Sequence, residues 1–372
     1  MLQQKGQIVS ILSEKDVKNR LEIISSEIRY VILDENVSID GLDKKLDSLY
    51  ESYHSDIIYM NIRDNSINEG SCRKLVIYEH ENLKHILLFK YNGKSNHIAI
   101  LNHYFKMCNQ DIEIIRDILF KEYRTVKKIT FPYLCQIEKR PQMLLHEQHS
   151  DWVIELPESM DMYYNSLSTK TRGNVKSYQK RIVKDYPDFK VSFYEGEDIS
   201  REQMTKLVEF NHRRMETKGK KSFNNDTECD ILYQYALMKG VLCICSINDH
   251  IIGGTLNWVV GGHSYGAIIS HDNAYNNYHA GYIAATVSIQ YMIERNIKFY
   301  HLGFGSTEYK RSLLGKACDM KDVIVFRKRI DFHLNDILHS LRIWTKSVRE
   351  KFGKQKIREL LYKWEKKRKQ KK

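Results

Sequence analysis

The stretch ISHDNAYNNYHAGYIAATVSIQYMIERNIKFYHLGFGSTEYKRSLLG, residues 269–315, decides the fold. It begins at a strand end and passes through a loop rich in Tyr and Asn. Apolar residues at three- and four-residue spacing predict a helix that begins at Gly281 and ends near residue 294. Residues 299–302 read as a strand, followed by a turn that contains Gly303 and Gly305. Strand, helix and strand in this order indicate an α/β fold.

The same order of elements is predicted twice along the chain. In each half a meander of strands leads into a long helix and then into one more strand. In the first half the strands are expected at residues 74–79, 85–91, 97–101 and 128–131, the last stopped by Pro132, and the helix at 110–124. In the second half the strands are expected at residues 242–247, 251–259, 263–270 and 299–302, and the helix at 281–294. The two halves share no sequence repeat, so the duplication is predicted from the order alone.

Three units are expected. Polar residues and Pro141 between residues 140 and 150 predict a boundary. We therefore expect an N-terminal domain over residues 1–145, a second domain over 151–330 and a basic amphipathic helical tail over 331–372.

Composition excludes several protein classes. The hydrophobic share of 42% supports folded cores. No apolar run is long enough for a membrane span, and the N-terminus lacks the pattern of a signal peptide. None of the seven cysteines shows metal-ligand spacing, so we expect free thiols, no metal site and a cytoplasmic protein. Of the net charge of +12, residues 341–372 carry +11, from 14 Lys and Arg against three Glu.

Two motifs carry a resemblance to a known family. The run YYNSLSTKTRGNVKSYQKR, residues 163–181, resembles the Leu-Ser-x-Lys-x-Arg-x-Asn helix of CelD/BcsL-like, BioF2-like acyltransferases. These belong to the GNAT superfamily and are related to the FemAB group. Residues 269–315 resemble the second signature of that family. The family often has Asp at the end of the strand before the turn, where this chain has His301 or Leu302.

The resemblance implies a fold and a cofactor. The expected fold class is α/β (α+β) with tandem GNAT-like domains, the N-terminal one degenerate and the C-terminal one catalytic. The expected co-substrate is acetyl-CoA or another acyl-CoA. A helix N-terminus binds pyrophosphate through unpaired N–H groups, and the helix at Gly281 has the right context; an ordinary helix start is the alternative. The expected cofactor-binding residues are Ile269, Tyr278, His279, Ala280, Gly281 and Tyr282.

The chemistry of acyl transfer suggests catalytic residues. Tyr309 follows the strand and turn, and in GNAT enzymes a Tyr near this place often protonates the leaving thiolate. The pKa values of phenol and thiol, roughly 10 and 8.5, make this transfer workable. Glu308 is a candidate base, and His271 at a strand end is its rival. Each of the three also has a purely structural explanation. A backbone N–H near residues 268–270, freed by a bulge, is the expected oxyanion donor.

The acceptor site is less well defined. We expect Lys170, Arg172, Asn174, Arg213 and Lys310 to bind a small-molecule or glycan-precursor acceptor; a solvated basic face is the alternative for the first three. The tail favours peripheral contact with the inner face of a membrane or no specific partner, and nucleic acid least.

The leading hypothesis is an acyl-CoA-dependent N-acyltransferase, most simply an acetyltransferase, acting on an amino sugar or related amine in bacterial cell-surface polysaccharide or envelope biosynthesis. The alternatives are a FemAB-like aminoacyl transferase that uses aminoacyl-tRNA and a non-catalytic scaffold.

Overall fold

The computed structural model describes residues 10–217, 219, 226–305, 308–337 and 340. The strands are β1 (Ser10–Leu12), β2 (Glu22–Ile23), β3 (Ile28–Leu33), β4 (Val37–Ile39), β5 (Arg73–Glu79), β6 (Asn82–Asn92), β7 (His97–Ile100), β8 (Phe105–Lys106), β9 (Lys128–Cys135), β10 (Met143–Glu155), β11 (Lys190–Glu195), β12 (Gly240–Ile247), β13 (His250–Val260), β14 (His263–His271), β15 (Phe299–Phe304) and β16 (Lys316–Phe326). The helices are α1 (Glu14–Lys18), α2 (Leu42–Tyr50), α3 (Ile57–Arg63), α4 (Asn109–Glu122), α5 (Met160–Ser166), α6 (Thr169–Asp185), α7 (Arg201–Thr217), α8 (Asp226–Lys239), α9 (Ala280–Glu294) and α10 (Glu308–Ser312). Short 3₁₀ helices lie at Tyr53–Ser55, Gly196–Asp198 and Asn273–Tyr278, and residues 329–337 are helical.

One long mixed sheet runs through both halves of the chain. From its centre outward the second half reads β10, β15, β14, β13, β12, β11, and the first half reads β16, β9, β7, β6, β5, β3. In both directions the first pair is antiparallel, the second is parallel and the remaining three are antiparallel. This matched order confirms the duplicated α/β fold that the sequence predicted.

The halves exchange strands at the centre of the sheet. Strand β10, from the connection between the halves, lies between β15 and β16, while β16, from the end of the second half, lies between β10 and β9. Val323 and Val325 of β16 are buried in the core of the first half, and Trp152 and Ile154 of β10 are buried in a core of the second. Most of the boundary region expected at residues 140–150 lies in β10, which begins at Met143. The sheet is continuous across this region, so the division into two domains stays a prediction.

Helices cover both faces of the sheet in the second half. Because alternate residues of a strand point to opposite faces, Leu242 and Ile244 of β12 pack in the core formed with α7 and α8. Val241 and Cys245 of the same strand pack instead in cores that contain α9. The two faces of the second half therefore carry different sets of helices.

Two strands differ from the prediction, for local reasons. Pro132 does not stop β9, because the register of β9 with β16 shifts between the pairs Phe131–Val323 and Leu134–Lys321. A bulge is one of the places where a strand accepts a residue that has no N–H group. Strand β10 begins at Met143, within the polar stretch expected to be a linker, because its polar residues hydrogen-bond across to β16.

Candidate active site

A cleft opens between the two neighbouring parallel strands of the second half. Strands β14 and β15 pair over only three residues each, from His263–Phe299 to Tyr265–His301. Beyond these pairs β14 continues to His271 and β15 to Phe304 without a mutual partner. Diverging strands leave backbone N–H and C=O groups available to a ligand.

Glycines set the closed end of this cleft. A Cβ on Gly266 would lie 3.1 Å from the carbonyl oxygen of His301, so a larger residue would push the two strands apart by a few tenths of an ångström. Gly303, opposite, has a φ of +76°, in the left-handed region that favours Gly. The turn glycine that the sequence singled out therefore shapes the strand end.

A bulge in β14 lies beside the cleft. Leu256 of β13 pairs with Ile268 and Asn257 pairs with Gly266, so Ala267 is an extra residue. The extra residue of a bulge is left out of the ladder. The bulge expected near residues 268–270 is therefore present, one residue earlier than expected.

The start of α9 faces the open end of the cleft. His279 precedes the helix in the left-handed conformation, with a φ of 54°, and its side chain makes no capping hydrogen bond. A Cβ on Gly281 would lie 2.8 Å from Nδ1 of His271, which places the helix start against the end of β14. The first N–H groups of a helix lack intrahelical partners. These groups are therefore suited to bind an anion.

The other residues expected at the cofactor lie around this helix start. Tyr278 donates a hydrogen bond to Asp185 of α6 (3.1 Å), and the His279 ring lies 4.0 Å from that of Tyr178, also on α6. Ile269 is partly buried against the core that contains α9, and Tyr282 packs there too. The structure brings the predicted set together along the junction of α6, β14 and α9.

The predicted catalytic residues lie on both sides of the cleft. Tyr309 is in the first turn of α10, and burial raises the pKa of its phenol, against the influence of Arg214. His271 ends β14; burial lowers its pKa, and Arg214 contributes in the same direction. Its Nε2 is 2.8 Å from Oδ1 of Asn276. The positive charge of Arg214 thus lowers the pKa of residues on both sides of the cleft, Tyr309 and His271. The buried Nε of Arg214 has no hydrogen-bond partner.

The residues predicted to bind the acceptor are divided among several places. Lys170 and Asn174 of α6 line a cavity of about 760 Å³ with Tyr282, Glu308 and Tyr309. Residues of both sequence motifs that carry the family resemblance therefore line one cavity.

The other three predicted acceptor residues have different surroundings. Arg172 donates to the carbonyls of Asn165 and Leu167 at the end of α5. Arg213 is exposed and pairs with Glu209 at 3.7 Å. Lys310 is buried, and its Nζ donates to the carbonyls of Gly303 (2.8 Å) and Phe304 (2.7 Å). Burial lowers the pKa of Lys310 to about 8, against the attraction of Asp151.

A buried acid and two histidines, which the sequence analysis did not select, lie beside the cleft. Nδ1 of His301 is 2.5 Å from Oδ2 of Asp151, and Nε2 of His301 is 2.8 Å from Nδ1 of His263. Nε2 of His263 is 3.5 Å from the Glu51 carboxylate. The burial of Asp151 opposes its ionisation, but the hydrogen bond and charge of His301 outweigh this and lower the pKa of the carboxyl. Burial also lowers the pKa of His263, to about 3.

Only one of these residues gave a sequence signal. The family often has an acid where this chain has His301 or Leu302, and in the structure an acid, Asp151, lies beside His301 on the neighbouring strand β10. Asp151 pairs with Phe304 across the two strands, so it lies level with the cleft.

Two cavities meet at this group, on the face of α7 and α8. The central cavity, about 780 Å³, is walled by Asp151, His263 and Glu51 among others. The aromatic cavity, about 570 Å³, reaches the cleft at Gly266, Ala267, Gly303 and Phe304. Its other walls include Tyr53, His54, Tyr59, His103, Tyr133 and Trp258. Tyr104, Tyr265 and His301 line both cavities.

In the part of the chain that the structure describes, no group of three or more His, Cys, Asp or Glu side chains is placed to hold a metal ion. Within the same residues, no helix is both long enough and apolar enough to cross a bilayer.

Comparison with known proteins identifies one family over part of the chain. Residues 169–311 match the family described as acetyltransferase (GNAT) domain. The matched segment includes α6, the cleft, α9 and most of α10. This part of the chain is a GNAT-type acetyltransferase domain, and the protein is an acyltransferase. No curated protein sequence matches the chain.

Solved structures show similar folds at low identity. FemX is 10% identical with a TM-score of 0.51, over 71% of this chain and 90% of FemX. A conserved protein of unknown function from Bacteroides thetaiotaomicron VPI-5482 is 11% identical with a TM-score of 0.44, over 69% and 83%. A tandem GNAT protein from the clavulanic acid biosynthesis pathway is 9% identical with a TM-score of 0.41, over 80% and 98%. The likeness to FemX concerns the fold.

Proposed function

We propose that this acyltransferase transfers an acyl group, most simply acetyl, from coenzyme A to an amine. The observation that carries the proposal is the open cleft between β14 and β15, which has the Ala267 bulge at its side and the start of α9 at its mouth. A GNAT-type fold generally uses an acyl-CoA. We assign the pyrophosphate to the first N–H groups of α9 and the thioester arm to the cleft.

The chemical step needs charge control at three points. The backbone N–H groups at Ala267 and Ile268 are our candidates for stabilising the oxyanion that forms on the thioester carbonyl. Tyr309 is the proposed proton donor to the departing thiolate, and Arg214 adds positive charge between the walls of the cleft. The amine must be neutral when it attacks the thioester, and His271 and Glu308 are the proposed bases that take its proton, directly or through water.

The acceptor is proposed to enter from the face of α7 and α8. The aromatic cavity reaches the cleft at Ala267 and is separated by the sheet from the face that carries α9. Its flat apolar rings suit the carbon face of a sugar. Together with the resemblance, this favours an amino sugar or related amine of bacterial envelope or polysaccharide synthesis, in the cytoplasm.

The test is transfer itself. The purified chain is incubated with acetyl-CoA and a panel of amino sugars and their nucleotide forms, coenzyme A release is followed with a thiol reagent, and products are identified by mass. Acetyl-CoA binding is measured in parallel by calorimetry. Binding and an N-acetylated product support the proposal. No coenzyme A binding, together with transfer from charged tRNA, would replace it with the aminoacyl-transferase hypothesis.

We also propose peripheral contact with an anionic membrane surface through the C-terminal region. Ile330, Leu334 and Ile337 are 65%, 56% and 58% exposed and recur at four- and three-residue spacing in the helical residues 329–337. The following residues 341–372 carry 14 basic against three acidic side chains; their fold lies outside the described residues. An apolar stripe next to basic residues is typical of segments that lie on anionic lipid.

A further inference from the structure

The carboxylate of Asp151 combines burial with an unused hydrogen-bonding position. Its side chain has no solvent exposure. His301 bonds to Oδ2, while Oδ1 has no hydrogen-bond partner. A buried acceptor without a partner costs free energy, and more so when it is charged. Such a group in a folded protein calls for an explanation, and a ligand that is absent from the structure is a common one.

The position of Asp151 shows where that ligand would lie. Asp151 is in the wall of the central cavity and pairs with Phe304 at the end of β15. Phe304 also lines the aromatic cavity, where the cleft opens. A group that reaches Asp151 therefore lies next to the place proposed for the thioester carbonyl.

The surroundings favour a counter-ion over a base. His301, Tyr104 and Lys310 all hold the pKa of Asp151 down, although burial alone would raise it. A carboxylate with a lowered pKa is a poor proton acceptor from an ammonium group, whose pKa is several units higher. The same carboxylate remains charged inside the protein and can pair with a cation.

We propose that Oδ1 of Asp151 binds the amino group of the acceptor, and that the acceptor is therefore a primary amine that arrives as its ammonium form. His301 is a positioning residue, which keeps the carboxylate ionised and turned toward the cavity, and His263 orients the His301 ring through its Nδ1. This inference rests on the proposed function.

Proton and bond changes balance with this arrangement. The bound ammonium gives one proton to water or to a base at the cleft and then attacks the thioester carbonyl. The C–N bond forms and the C–S bond breaks. Tyr309 protonates the thiolate, which leaves as a thiol, and the second proton of the nitrogen restores the Tyr309 phenol. Asp151 is ionised before and after the reaction.

The test compares a cationic and a neutral amine. Full-length wild type and Asp151→Asn are assayed for coenzyme A release from acetyl-CoA with ethylamine, which is an ammonium ion at pH 7, and with hydroxylamine, which is neutral there. For Asp151→Asn we expect the KM for ethylamine to rise about 10- to 100-fold, the loss of a charge-assisted hydrogen bond. The KM for hydroxylamine is expected to change less than about threefold, and kcat at saturating amine much less than KM.

A matched control and a second variant keep the test specific. Asp111→Asn removes another buried carboxylate beside a histidine, His85 at 3.6 Å, in the core of the first half, and is expected to leave both KM values unchanged. His301→Asn keeps the Asp151 carboxylate but removes what lowers its pKa most. As the pH is lowered, the KM of this variant for ethylamine should therefore begin to rise at a higher pH than the KM of wild type does.

Several titratable or charged groups face Asp151 from the surrounding elements: Tyr53, Tyr104 before β8, Cys135 on β9, His263 and Tyr265 on β14, His301 on β15, Lys310 on α10 and Cys318 on β16. Equal losses with both amines, or no rise in KM for ethylamine, would overturn the role of Asp151. Failure of wild type to bind acetyl-CoA by calorimetry would instead count against the proposed function.

Discussion

Removing His301 should destabilise the protein through the charge that it leaves behind. Asp151 is fully buried, and His301 at 2.5 Å is the first cause of its lowered pKa. Breaking a buried pair by removal of one partner costs about 3–5 kcal/mol. Because Tyr104 and Lys310 still act on the carboxylate, we expect His301→Ala to lose about 3 kcal/mol of unfolding free energy at pH 7.

The double variant tests whether charge is the cause. In His301→Ala/Asp151→Asn the buried group is a neutral amide, and an unpartnered neutral group costs only about 1–3 kcal/mol. The double variant should therefore be more stable than the single variant. Urea midpoints, followed by tryptophan fluorescence, measure both.

The pH dependence of the unfolding free energy gives a second, independent test of the buried charge. In wild type the folded pKa of Asp151 is lowered, so its contribution to stability is present above the ordinary carboxyl pKa and is lost as the pH falls through the folded pKa. In His301→Ala, burial raises that pKa, so folding takes up a proton and the stability gap to wild type narrows from pH 7 to pH 5. A gap that is constant with pH, with a double variant no more stable than the single, would refute a buried charge at Asp151.

Three further predictions concern the glycines of the cleft, the proposed proton donor Tyr309 and the C-terminal region. Gly303→Ala should cost about 1–2 kcal/mol through its left-handed backbone, because its Cβ meets nothing nearer than 3.7 Å. In Gly266→Ala the added Cβ would lie 3.1 Å from the His301 carbonyl oxygen, so this variant should lower kcat/KM for acetyl-CoA more than Gly303→Ala does. Urea midpoints measure the loss of stability, and coenzyme A release measures the loss of activity. Tyr309→Phe should lower kcat about 100-fold with little change in acetyl-CoA affinity by calorimetry, the size expected for loss of a general acid; unchanged kcat would remove Tyr309 from the mechanism. Replacement of Ile330, Leu334 and Ile337 by Asp should abolish sedimentation with vesicles rich in phosphatidylglycerol without changing acetyl transfer, and retained sedimentation would contradict the proposed membrane contact.

The helices and strands of the second half were predictable because their signals are local. Periodicity and turn residues gave β12 to β14, α9 and β15 nearly to their ends, since each element is apolar on a defined face. The position where α9 starts was predictable for the same reason, because Gly281 and the preceding loop are contiguous in sequence. The error at Pro132 arose because the bulge that accommodates it depends on β16, almost 190 residues later.

The Asp151–His301–His263 group was not predictable, because strand exchange creates it. Asp151 lies in the stretch expected to open the second domain, and it meets His301 only because β10 is inserted beside β15. Periodicity marks which face of a strand is buried, but it does not identify the neighbouring strand. The family pattern gave the only signal, an acid at the position of His301 or Leu302.

The position of β8 suggests why only the second half would hold acyl-CoA. The pair β7–β9 is the counterpart of β14–β15, and its mutual pairing also stops after three residues, at Ala99–Thr130. There β8 returns to pair in parallel with β9 at Leu134–Cys135 and fills the space that remains open in the second half. Tyr104, which precedes β8, then reaches across to the junction of the central and aromatic cavities. The first half thus fills the counterpart of the cleft with a segment that also lines the two cavities of the second half.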